Sequence, residues 1–148
     1  MCKRLTLTVL FLFIILLTSC SLKGDKPPKT MIQIGEQTYE TKLGSYCWTG
    51  ECVDTAGPVE LLKGKKTIEV KPGEDITVKM NYNPKPSDVY LSQINNNKEI
   101  KVAIENNRFK APSNKGLYYY AYSVWWMDKK KEHTSNGDAF YAFTLEVK

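Results

Sequence analysis

Residues 114–126, NKGLYYYAYSVWW, decide how the chain folds. Asn, Lys and Gly open the stretch as a turn, and the aromatic and β-branched run behind them has the composition of a strand. Side chains on a strand alternate between its two faces. If Tyr118 points inward, Tyr120, Tyr122, Val124 and Trp126 do the same, while Tyr119, Ala121, Ser123 and Trp125 point outward. Gly116-Leu117-Tyr118 has the Gly-x-Tyr spacing of a tyrosine corner, in which the hydroxyl satisfies backbone groups where one sheet hands over to the other. A last strand from about Asp138 to Val147 then turns Tyr141, Phe143, Leu145 and Val147 to the same inward face.

Working back from this pair, the chain from Thr30 onward shows short alternating runs between turn signals and no sustained helical period. Met31 to Ile34 and Thr38 to Leu43 flank Gly35-Glu36-Gln37 as a hairpin. Ile68 and Val70 share a face before the Pro72-Gly73 turn. Ile76, Val78 and Met80 alternate with polar residues, as do Ile100, Val102 and Ile104, with Val89 to Ile94 between them. The one helical candidate is Gly57 to Leu62, with Pro58 suited to a first turn. Together these predict an all-β domain, and the corner with its two strands resembles the end of an immunoglobulin-like antiparallel β-sandwich. The disulfide and central tryptophan of antibody domains are missing from the pattern, so the likeness is one of architecture.

Ahead of this domain, Lys3 and Arg4 precede an apolar run from Val9 to Leu17, which is far short of the about 20 residues that span a bilayer. A charged start, an apolar middle and small residues at the end make a secretory signal over residues 1–19. Leu17-Thr18-Ser19-Cys20 resembles the bacterial lipobox. That resemblance implies cleavage before Cys20 and acylation of its sulfur, so that Cys20 becomes the lipidated first residue. Residues 20–29, polar and carrying Gly24, Pro27 and Pro28, read as a flexible tether that would hold the domain at most about 25 Å from the membrane. The β-sandwich domain is expected over residues 30–148.

Charge narrows the partners. The chain has 21 Lys and Arg against 16 Asp and Glu; loss of Lys3 and Arg4 with the signal leaves 19 against 16, a formal +3. So mild a balance argues against nucleic acid. The local runs Lys63 to Lys66 and Lys129 to Lys131 read as solvated loops, with contact to anionic headgroups or wall polymers as the functional alternative.

Two thiols remain after processing, Cys47 and Cys52 in SYCWTGECVD. In an exported protein an even pair at this spacing reads as a structural disulfide. The alternatives fare worse: a redox pair favours C-x-x-C at a helix start, and zinc finds only one histidine, His133, and no second cysteine pair. His133 sits in a lysine-rich hairpin loop and is expected at the surface. No nucleophile elbow, phosphate loop or His-Glu-x-x-His is present. Glu51, Asp54, Asp128 and Asp138 show no spacing that pairs them for glycoside hydrolysis. We therefore expect no catalysis, no cofactor and no metal. Tyr119 and Trp125, on the outward face, are the candidate binding residues, since exposed rings stack on sugars or anchor a protein. Their other fate is packing under a covered face. Trp48, beside Cys47, is expected to pack on the disulfide.

GSYCW with its second cysteine, then VKPGEDI and the aromatic C-terminal strands, is similar to small uncharacterised lipoproteins of Gram-positive bacteria. This resemblance covers most of residues 31–148 and implies a fold and an address without an activity. The expected protein is lipid-anchored at the extracytoplasmic face of the cell membrane. It would act as a binding or interaction module for a protein or a cell-wall polymer. An accessory or sensor subunit of a neighbouring membrane complex is the alternative, and a cell-wall enzyme the third class.

Overall fold

Alternation and turn chemistry build the domain strand by strand in a computed structural model that describes residues 22–148. The signal at residues 1–19 and Cys20 lie outside the described residues. Three two-residue hairpin turns carry positive φ at both positions: Thr49-Gly50, Asn96-Asn97 and Asn106-Asn107. Glycine and asparagine tolerate that region best, and its twist suits a tight hairpin.

The smaller sheet holds β1 (Thr30–Ile34), β2 (Gln37–Glu40), β6 (Asp75–Met80) and β9 (Arg108–Lys110) in the order β2-β1-β6-β9. The larger sheet begins with β3 (Lys42–Trp48) and β4 (Glu51–Val53). It continues with β7 (Asp88–Asn95), β8 (Lys98–Val102), β10 (Gly116–Met127) and β11 (Ser135–Val147), in the order β4-β3-β11-β10-β7-β8. β5 (Ile68–Val70) runs parallel to the end of β11, and every other pairing is antiparallel. The protein is an all-β sandwich of two packed sheets. The expected strand Thr38 to Leu43 is divided at Thr41, whose amide and hydroxyl both donate to the Thr30 carbonyl, so that β2 stays in one sheet and β3 enters the other. The short helix α1 (Pro58–Leu61) has Pro58 in its first turn, as expected.

The inward residues of β10 are those the alternation selects: Tyr118, Tyr120, Tyr122, Val124 and Trp126 are all buried. Tyr141, Phe143, Leu145 and Val147 join them from β11, and Ile32, Ile76, Val78 and Phe109 meet them from the smaller sheet. Tyr120 stacks on Phe143 with centroids 4.9 Å apart, and Phe109 approaches both rings from across the sandwich. Buried phenols and indoles need partners for their polar ends. Tyr120 donates to Gln93 Oε1 at 2.7 Å and Tyr141 to the Pro28 carbonyl at 2.6 Å.

The corner forms as expected. The Tyr118 hydroxyl donates to the Asn114 carbonyl at 2.9 Å. Gly116 lies at φ +152°, and a Cβ there would stand 3.4 Å from the Tyr118 ring. Tyr118→Phe keeps the ring and loses the bond. Because Asn114 is exposed, water can take over its carbonyl, and we expect a cost of about 1 kcal/mol. Tyr119→Phe, on the half-exposed opposite face, should change stability less; urea midpoints of the two variants measure the contrast.

Two expectations need correction. Trp48 does not pack on the disulfide: its neighbour Cys47 takes the other face of β3, and Trp48 is buried at 1% exposure against Trp126 and Tyr82. The three rings meet edge to face, with centroids 4.8 to 5.8 Å apart. Gly137 lies between the two tryptophans in register, and a Cβ there would come within 2.8 Å of the Trp48 ring and 2.5 Å of Leu22.

The expected tether, over residues 22–29, lies against the domain. Leu22 packs on the core beside Gly137, and Pro27 is buried. The Lys23 amide donates to the Tyr82 hydroxyl at 2.6 Å, Trp48 Nε1 to the Gly24 carbonyl at 3.0 Å, and Tyr141 to Pro28 as above. A segment whose backbone completes the hydrogen bonds of buried rings is part of the fold.

Candidate functional site

The outward face of the larger sheet is uneven because its residues differ in size. At its centre Ala121 and Ala142 are paired across β10 and β11 and both are buried. Their small side chains let α1 and the buried Leu62 pack over β3, β10 and β11. Beside them Gly44 and Ser45 oppose the single residue Phe140 in a β-bulge, and the Phe140 ring fills the space a Cβ on Gly44 would need. The middle of this face is therefore closed.

Tyr119 and Trp125 lie on either side of the closed strip, both half-buried. They share a strand face but stand six residues apart, about 20 Å along the strand, so they do not form one contact point. Tyr119 pairs with Ile94 and Thr144. Trp125 has a richer setting. It is directly opposite Asp88 on β7 and Asp138 on β11; Asp138 is opposite Cys47, and Cys47 is opposite Cys52. Directly opposed residues share a face. One row across five strands thus carries the disulfide, a carboxylate, an indole and a second carboxylate.

The Cys47–Cys52 disulfide joins the two strands of the Thr49-Gly50 hairpin, with Cα atoms 4.1 Å apart. It fixes the width of that hairpin and the edge of the row. Asp138 is half-buried and Asp88 exposed.

The residue that sequence reading passed over is Tyr90. It is 36% exposed, it pairs with Ser123 one step along the same outward face from Trp125, and Lys101 Nζ stands 5.5 Å from its ring centroid. The period-two pattern of β7, with Leu91 fully buried, contained that signal. The arrangement offers two amphipathic rings, two acceptors and a cation on one surface. Such groups bind by stacking and hydrogen bonding.

Other surfaces hold less. Two shallow, open depressions, of about 360 and about 430 Å³, flank Asn106–Arg108 at the edge of the smaller sheet. There the Lys110 ammonium, 2.8 Å from Asp75, holds that carboxyl below its ordinary value. His133 is exposed in the β10–β11 loop with positive φ, as expected for a surface histidine. Among the described residues no group of three or more His, Cys, Asp or Glu side chains could hold a metal ion. No helix among them is long and apolar enough to cross a membrane. Comparison of the chain with protein families, curated proteins and solved structures returns no match.

Proposed function

We propose that the protein is a lipid-anchored, extracytoplasmic binding module whose ligand is a glycan-bearing polymer of the cell wall. The observation that carries the binding role is the row through Trp125. An indole flanked in register by Asp88 and Asp138, with Tyr90 one step away, supplies a stacking platform beside acceptors for sugar hydroxyls. The anchor rests on the signal and lipobox of the sequence, with Cys20 as the acylated residue. No reaction is part of this reading.

The test is co-sedimentation of the protein with isolated cell walls. Trp125→Ala and Tyr90→Ala should each weaken retention by about tenfold or more while the circular dichroism of the domain is kept. Retention unchanged in both variants removes this face as the binding surface. The anchor is read separately: Cys20→Ala should abolish incorporation of labelled palmitate and leave the protein either uncleaved or released from the membrane. A variant that is still acylated overturns that half of the proposal.

A further inference from the structure

We infer that residues 22–29 act as a clamp that holds one end of the sandwich, the end bearing the β10–β11 loop, against an anionic bilayer surface. The inference rests on the acylation of Cys20 proposed above.

Only Ser21 separates Cys20 from Leu22. Two residue steps span at most about 7 Å. Leu22 is itself fixed, packed on the core beside Trp48 and against Gly137, and the two residues that follow it are bonded to Tyr82 and Trp48. The point of acylation therefore lies at most two residue steps, about 7 Å, from the docked Leu22, which bounds the length of any tether between anchor and domain.

That cluster marks one end of the sandwich. Trp126 is at the end of β10, Trp48 at the end of β3, and Tyr82 in the connection between β6 and β7. The Thr49-Gly50 turn, residues 81–87 and the β10–β11 loop project from the same end. These segments carry Lys85 and Lys129 to Lys131, all exposed, and Lys23 stands beside them on the clamp. Of the nearby acids, Asp25 on the clamp, Glu51 after the Thr49-Gly50 turn and Asp88 at the start of β7 are exposed, while Asp128 is turned inward by the loop itself, its carboxylate accepting the amides of Lys130 and Lys131. This leaves the ammonium groups as the outer charges of the loop, with Glu132 beside His133 as their counterweight. A basic loop held at the membrane surface is attracted by anionic headgroups, and the attraction fades within a Debye length. The clamp supplies the short distance that such an attraction needs.

The mature lipoprotein is to be reconstituted into vesicles containing phosphatidylglycerol and an acceptor-labelled lipid, with a donor dye on Lys130→Cys or on Lys115→Cys. The second site precedes β10 and so lies at the far end of a strand about 40 Å long. Energy transfer should be several-fold stronger from position 130. In Leu22→Asn/Tyr82→Phe protein, which loosens the clamp, and on vesicles of phosphatidylcholine alone, the difference between the sites should shrink. Equal transfer from both sites in vesicle-bound wild type overturns the inference and leaves the anchor standing. Protein recovered wholly off the vesicles removes the anchor and the inference with it. A difference that survives the loosened clamp undiminished shows that the loop alone orients the domain, and refutes the role of residues 22–29.

Discussion

Between pH 10 and pH 12 the domain is expected to lose its stability steeply, because its core is built on phenols. Burial raises the Tyr122 hydroxyl from its ordinary value of 10.0 to about 12 and pushes Tyr120 and Tyr141 further in the same direction. A raised value means that the folded chain holds a proton which the unfolded chain gives up near pH 10. Stability from these groups is therefore fully present below pH 10 and is lost as pH climbs toward the folded values. Each such phenol contributes about 1.4 kcal/mol per pH unit over that window. Three such groups titrating in one core make the loss steep across that window. Phenolate absorbance and far-ultraviolet circular dichroism followed in one alkaline titration give the measurement. We expect a fraction of the nine tyrosines to ionise late and together with the loss of β signal. Tyr122→Phe, which removes one of these protons, should shift the alkaline midpoint upward. A titration in which every tyrosine ionises near pH 10 with the β signal intact contradicts this account of the core.

Trp48→Ala should be the most damaging single replacement among those considered, at about 3–5 kcal/mol. It opens a cavity between Trp126, Tyr82 and Leu22, and it frees the Gly24 carbonyl that the indole bonds. The Trp48 ring packs so close to the bare backbone of Gly137 that a Cβ there would stand 2.8 Å from it, so its loss empties a tightly filled site. Trp125→Ala is the control, since it removes an equal volume from a half-exposed position on the outward face. Denaturant unfolding of both variants, compared at equal m-value, gives the order directly. If Trp125→Ala is the costlier change, the facing of β10 is inverted and Trp125 belongs to the core.

That facing could be read from residues 118–126 because every inward position is large while the outward set mixes Ala and Ser with two rings. Period two with one uniform face leaves a single register, and a shift by one residue would bury Ser123 and expose Tyr120. The paired asparagines were equally open to reading as turns. Three features were not legible, each for its own reason. Docking of residues 22–29 uses the backbone of Lys23, Gly24 and Pro28, and backbone groups leave no mark in a composition that otherwise resembles a linker. Trp48 follows from alternation only once β3 is known to run to residue 48, and the expected strand ends at Leu43. The row joining the disulfide to Asp138, Trp125 and Asp88 depends on the register of five strands that lie far apart in the chain, and no local pattern encodes it.

The edge strand β8 has a bearing on how many copies can crowd together. Its sequence, Lys-Glu-Ile-Lys-Val, ends the larger sheet with unpaired backbone groups and an Ile100 that is 45% exposed. An apolar edge of this kind invites a neighbouring chain to add its own strand. Lys98, Glu99 and Lys101 surround Ile100 with charge, and a second copy approaching antiparallel would have to desolvate those groups to gain one isoleucine contact. Copies gathered at high local density on a surface would thus stay separate sandwiches instead of extending into a shared sheet, and replacing these lysines would remove the safeguard against fibrillar self-assembly.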